Sequence, residues 1–321
     1  MSGILAITCV SVCVVTVLVA LSFVARFDTW RVVAWAQTPL PLWMPFALAM
    51  AALMLAVGSY PLATGFGVAT AVFVWKLAPS LSRTVSRTVM TPDAKIAHAN
   101  LLYLNDRHND ALEALLAHDA DVITVCELND AWHEAIENHP VFTSIYPHRV
   151  TAPAQRADGI AVYSRHQLRR HAITPAVTKN CVEVVIAHPN GSELRIVTGH
   201  PMPPMNRTKT RDWRPSFCKL SALVHGSNPE SGNTATNTVV IGDFNAAAWH
   251  PSFRILERGL IRVRDRRLGA TWKPHPRAPF VARLDHALVS PDVTPMSIRH
   301  FDVPGSDHRG IVVELSLANP Q

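Results

Sequence analysis

The stretch Val239-Val240-Ile241-Gly242-Asp243-Phe244-Asn245 decides the reading of this 321-residue chain. A short run of β-branched and apolar residues reads as a buried strand, and Gly242 is expected to break it. Beyond the break stand a carboxylate and a carboxamide, Asp243 and Asn245. On extended backbone, alternate side chains share a face, so these two can converge on one point. An anion that orients a nucleophile beside an amide donor suits a polar reaction centre. The same Gly-Asp-x-Asn also suits an ordinary turn. The rest of the chain has to choose between them.

Outward from this stretch the chain alternates. A strand at 96–102 and a helix at 111–117 are followed by a strand at 121–126 and a helix at 130–138. Strands are then expected near 144–150, 159–164, 168–174, 181–187 and 194–199. A helix near 212–225 leads into 238–242, and strands near 283–289, 296–302 and 309–316 close the chain. Two βα units followed by strand-rich sequence predict an α/β fold with two mixed sheets packed face to face and helices outside, a four-layer sandwich.

Many of these strands finish on a residue capable of chemistry. Asn100 interrupts the first, Glu127 follows Val122 to Cys126, and His200 follows Leu194 to Gly199. Asp285 and His286 open Leu284 to Ser290, and Ser306-Asp307-His308 precedes the last strand. A lone Glu after a strand is usually a solvated cap, and a lone loop His is usually surface. A whole series at strand ends is harder to dismiss, because sites assemble there in layered α/β folds.

The order Asn100, Glu127, Asp158 to Arg165, Gly199-His200-Pro201, Gly242-Asp243-Phe244-Asn245, Leu284-Asp285-His286, Ser306-Asp307-His308 resembles the endonuclease/exonuclease/phosphatase superfamily. That is the fold of pancreatic-type deoxyribonuclease, abasic-site endonucleases, inositol-polyphosphate phosphatases and neutral sphingomyelinases. The resemblance covers about 95–318. It implies in-line hydrolysis of a P–O bond with Mg²⁺ or Mn²⁺. It gives Glu127 the metal, with Asn100 and Asp307 completing or supporting that site. His308, oriented by Asp285, sits at the scissile phosphate. Asp243 orients or deprotonates the attacking water, while Asn245 and His200 donate to the non-bridging oxygens. Nucleases of this family often carry an acidic residue two places after the first asparagine; here that place is Leu102. Thr271-Trp272-Lys273-Pro274 is similar to a Thr-Trp-Pro turn of the family, and Trp272 is expected to pack rather than to make contact.

The N-terminal part is of another kind. Residues 1–80 carry only Arg26, Asp28, Arg31 and Lys76 as charges. Ile4 to Ala25, Leu42 to Val57 and Ala63 to Leu77 are apolar runs, the first long enough for a bilayer at roughly 20 residues per span. Trp30, Trp35, Trp43 and Trp75 lie near their ends, where amphipathic rings favour the interface. About three transmembrane helices are expected in 1–80, a linker in 81–94 and a catalytic domain in 95–321. Some bacterial members of the family have a similar helical anchor. The cations Arg26, Arg31, Lys76, Arg83 and Arg87 place the domain in the cytoplasm by the positive-inside rule, whereas the family resemblance places it outside. A multi-pass cell-membrane protein is expected either way.

The remainder of the chain carries 27 basic and 23 acidic residues, a formal +4. This suits an anionic substrate without demanding a nucleic-acid surface. Five cysteines without regular spacing argue against a zinc site and a disulfide framework. A Cys181–Cys218 bridge is the one pairing left open. Three functions therefore compete: a membrane-anchored phosphohydrolase or phosphodiesterase acting on a lipid-linked or membrane-proximal ester, a membrane-tethered nuclease, and a non-catalytic interaction protein on this fold. The first is preferred. The loop Pro201 to Arg211, with Arg207, Lys209 and Arg211, either meets a lipid-linked phosphate or is a solvent-facing loop before a helix.

Overall fold

The computed structural model describes residues 3–25, 38–86, 91–174, 181–189, 191–226, 237–265 and 269–318. Arg26, Trp30, Arg31, Trp35 and Arg87, used above for membrane orientation, lie outside these residues.

Three apolar helices come first: α1 (Gly3–Val24), α2 (Leu40–Ala56) and α3 (Tyr60–Leu81). Two of them, α1 and α3, are long and apolar enough to cross a membrane, with mean hydropathies of 2.9 and 1.4. The expected third span falls short, because α2 has 17 residues. A three-residue turn with Gly58 at φ +73° folds α3 back against α2.

The remaining elements are β1 (Ala94–Asn100), α4 (His108–Leu116), β2 (Val122–Cys126), α5 (Asp130–Glu137), α6 (Pro140–Ile145), β3 (His148–Ala152), β4 (Ile160–Ser164), β5 (Leu168–Ile173), β6 (Cys181–Ala187), β7 (Glu193–Gly199), α7 (Arg207–His225), β8 (Asn237–Asp243), α8 (Phe253–Glu257), β9 (Ile261–Arg262), β10 (Asp285–Val289), β11 (Thr294–Asp302) and β12 (Arg309–Ser316). One sheet has the order β11-β12-β1-β2-β4-β3 and the other β5-β6-β7-β8-β10-β9. Both are mixed: β1–β2 and β7–β8 run parallel, and the other named pairs antiparallel. This is the expected sandwich.

Strand alternation builds its layers. Ile96, Val122, Val162, Ile196, Val239, Ile241 and Ile311 face between the sheets as one apolar core. Ala97, Ala99, Ile123 and Val125, on the opposite strand faces, pack with Leu112, Trp132 and Phe142 of the helices outside. Trp213, Phe217 and Phe253 cover the other sheet with Val197 and Val240.

Gly242 does not break β8. It pairs with His286 inside the sheet, and a Cβ there would come within 2.3 Å of the Gly199 carbonyl oxygen. The glycine is required by the close approach of β7, and the strand continues to Asp243. The expected strand at 144–150 starts at His148, because His139 caps a short helix at Pro140. The helix expected from 212 begins at Arg207, where the Asn206 side chain accepts the Lys209 N–H. Arg207, Lys209 and Arg211 thus stand on its first turns rather than in a loop. No bridge joins Cys181 to Cys218: both are free thiols.

Candidate active site

The inter-sheet core turns polar at one end, and it does so by strand alternation. Along β8, Val239 and Ile241 face the core and Asp243 comes next on the same face. Along β10 the series is Val289, Ala287, Asp285. Along β1 it is Ile96, His98, Asn100. Asp243 and Asp285 are register partners on adjacent strands, and both are fully buried. Like charges directly opposite repel, so something must compensate them.

His308 does. Its Nδ1 lies 2.8 Å from Asp285 Oδ2 and its Nε2 3.6 Å from Asp243 Oδ2. Burial alone would lower the His308 pKa, but the two carboxylates outweigh it and raise it to about 10. Burial would conversely raise both carboxyls; His308 holds each below the ordinary carboxylate range. The three side chains form one charged unit at neutral pH. Ser306 fixes the approach of His308, accepting its backbone N–H at 3.0 Å and donating to the Asn100 carbonyl at 2.8 Å.

Asn100 joins the two sheets. Its Nδ2 donates to Glu127 Oε1 and to Asp243 Oδ2, each at 3.0 Å, and its Oδ1 accepts the Leu102 N–H at 2.9 Å. Glu127, left-handed at φ +61°, also accepts the Tyr103 N–H at 3.1 Å. Asn245 is left-handed too, at φ +50°, and its N–H donates to Asp243 Oδ1 at 2.8 Å. Asp243 therefore ends the strand and caps a turn at once, as the turn reading of this stretch expects. Asn245 Nδ2 donates to the Pro201 carbonyl and lies 3.0 Å from His200 Nε2. His200 Nδ1 faces the Ala157 carbonyl at 3.1 Å, and its Nε2 is 3.4 Å from Asp243 Oδ2. Burial opposes a charge on His200, yet the Asp243 hydrogen bond and charge raise its pKa.

All eight predicted residues, Asn100, Glu127, His200, Asp243, Asn245, Asp285, Asp307 and His308, meet in or beside this network. Two further residues belong to it. His98 Nε2 stands 3.5 Å from Asp285 Oδ1, both fully buried, and its Nδ1 lies 2.9 Å from the Thr124 hydroxyl. A histidine two places before Asn100 in an apolar strand, hence on the same face, was the signal for it. Trp272 was expected only to pack, but its indole N–H donates to Asp307 Oδ2 at 3.2 Å.

Two sets of three side chains lie close enough to share an ion, Cys126–His200–Asp243 and Asp243–Asp285–His308, with ligand atoms within 4.8 Å. Neither suits a hard cation. Burial keeps Cys126 a neutral thiol, and His308 is already charged between its two carboxylates. Glu127 and Asp307 fit better. Both are partly exposed oxygen donors, and burial together with the Glu127 charge raises the Asp307 pKa. A divalent cation held by these oxygens would offset that charge.

A sheet sandwich carrying carboxylates, an amide and histidines at one end of its core has the groups a hydrolase of anionic esters needs. The chain belongs to the endonuclease/exonuclease/phosphatase family, whose model matches residues 97–308. It is accordingly a metal-dependent hydrolase of phosphate esters. Among solved structures it is similar to D. rerio TDP2 complexed with a single-strand DNA product, at 17% identity and TM-score 0.53, covering 70% of this chain and 98% of that one. A 3′ phosphatase from Neisseria bound to a product DNA hairpin has 16% identity and TM-score 0.53, with 70% and 99% covered. A mannosyl-6-phosphatase from Bacteroides thetaiotaomicron has 15% identity and TM-score 0.51, with 70% and 100% covered. At these identities the likeness is one of fold. A search of curated proteins found no match.

Proposed function

We propose that this chain is a membrane-anchored phosphohydrolase or phosphodiesterase acting on a lipid-linked or other membrane-proximal phosphate ester. One observation carries the membrane part. Ala247 and Trp249, two and four residues beyond Asn245, pack into one apolar cluster with Ala20 and Phe23 of α1, Leu40 of α2 and Phe73 and Leu77 of α3. The loop that leaves the reaction centre is thus seated on the apolar helices. Those helices present Ile4, Ile7 and Leu18 on α1, Leu48 and Leu53 on α2 and Val68 and Val74 on α3 as exposed side chains. Such apolar surface suits acyl chains rather than water. The domain division into an anchor, a linker and a catalytic part from about residue 95 is part of the same proposal.

In this reading Glu127 and Asp307 hold the divalent metal, Mg²⁺ or Mn²⁺, and Asn100 braces Glu127 against Asp243. When bound, the ion supplies charge stabilisation at a phosphoryl oxygen. Asp243 accepts the proton of the attacking water, a role suited to a carboxylate kept ionised by His308. Asn245 and His200 offer N–H groups to the oxygens on which negative charge grows. His308, held protonated by Asp285, stabilises the same charge. The test is hydrolysis by the full chain in lipid nanodiscs of membrane-embedded phosphate esters against soluble ones. Preference for the embedded substrate supports the proposal; equal or better turnover of soluble DNA moves the function to a nuclease.

A further inference from the structure

A second polar feature lies away from the catalytic cluster. Val24 at the end of α1, Trp75 and Lys76 near the end of α3, and Arg214, Trp249, Arg254 and Arg258 of the sandwich line a cavity of about 470 Å³. Four cations therefore face one space. Among the described residues Glu257 is the acid on its wall, and it lies 3.6 Å from the buried Arg262. Lys76 is only 8% exposed, and its Nζ lies 4.1 Å from the centre of the Trp75 ring. The ring itself is 58% exposed.

The position of this cavity selects its occupant. Its walls come from the last turns of α1 and α3, the two helices long enough to cross a bilayer, and from α7, α8 and the residues flanking α8 in the sandwich. That is the level at which Trp rings and basic side chains meet lipid phosphates. Guanidinium groups match phosphate oxygens in pairs and release weakly held water in doing so. We propose that this cavity binds the phosphate headgroup of an anionic membrane lipid and so fixes the catalytic domain against the bilayer surface. The proposal rests on the membrane-anchor reading above.

The experiment uses the full chain, delipidated in detergent and reconstituted into nanodiscs holding equal amounts of phosphatidylglycerol and phosphatidylcholine. Native mass spectrometry of the protein released from the discs reads which lipid it retains. The wild type should retain phosphatidylglycerol over phosphatidylcholine by roughly fivefold or more. Arg254→Gln with Arg258→Gln should bring that ratio back to the bulk value, and Arg214→Gln should lower it on its own. These variants should keep wild-type turnover of bis(p-nitrophenyl) phosphate, which shows that they fold. Unchanged enrichment in the double variant, or none in the wild type, overturns the site. Loss of the enrichment in the presence of inorganic phosphate alone would make the ligand a soluble anion and overturn the lipid assignment. Failure of the chain to enter nanodiscs at all would overturn the anchor reading and the lipid with it.

Discussion

Asp243 and Asp285 stand opposite each other on β8 and β10, and His308 lies within 3.6 Å of one and 2.8 Å of the other. Two buried carboxylates in register are tolerable only with such a cation between them. His308→Ala should therefore remove both a reaction group and a structural counter-charge. We expect turnover to fall by about 10²–10⁴-fold. Asp285→Asn should fall similarly while divalent-metal affinity, read by calorimetry, stays near wild type. Loss of metal binding in Asp285→Asn would mean that Asp285 is a ligand instead.

The same unit sets a pH dependence of stability. A group whose pKa is raised on folding stabilises fully below its unfolded value and loses that contribution as pH rises through the folded one. For His308 this window runs from 6.5 to about 10. Unfolding free energy measured in EDTA should hold level below the window and decline across it. Asp285→Asn should flatten the decline. An unaltered slope in that variant would refute the linkage.

His98 faces the remaining oxygen of Asp285 at 3.5 Å, fully buried. We expect it to act by orienting Asp285. His98→Leu should lower kcat by about tenfold with KM unchanged, while His98→Gln, which keeps a donor, should restore much of it. Equal losses in both would reduce His98 to packing.

Glu127 and Asp307 are the oxygen donors assigned to the metal. Glu127→Gln and Asp307→Asn should each raise the Mg²⁺ or Mn²⁺ concentration for half-maximal activity by about tenfold or more. EDTA should abolish turnover, and the added ion should restore it. An unshifted metal titration in both variants would place the ion elsewhere.

Gly242→Ala tests the strand pairing itself. With a Cβ 2.3 Å from the Gly199 oxygen, β7 and β8 must part, at a cost of about 1–3 kcal/mol. The lowered Tm should come with lowered activity, because Asp243 is the next residue.

Most of the sandwich was legible because long strands carry their own period. The elements that were not, α6, α8 and β9, have six, five and two residues, too few to show a period, and they are fixed by caps and packing instead. The candidate site residues were picked out because they stand at strand ends, and the structure brings them together there. What stayed hidden was their pairing. No spacing in the sequence says that Asp243 and Asp285 share a register, or that Asn100 spans both sheets to reach Asp243. His98 was passed over because it sits inside a strand rather than at its end. The break read at Gly242 failed because a β7 backbone atom, remote in sequence, is what demands the glycine.

The most direct measurement is formation of the hydrolysis product, inorganic phosphate or phosphomonoester, by the full chain in nanodiscs with Mg²⁺ or Mn²⁺. Its panel holds lipid pyrophosphates, phospholipids, sphingomyelin, and single- and double-stranded DNA, with His308→Ala as control. Metal-dependent turnover of a lipid substrate, lost in the variant, is the predicted result. Turnover of DNA alone, or activity that survives His308→Ala, would contradict it.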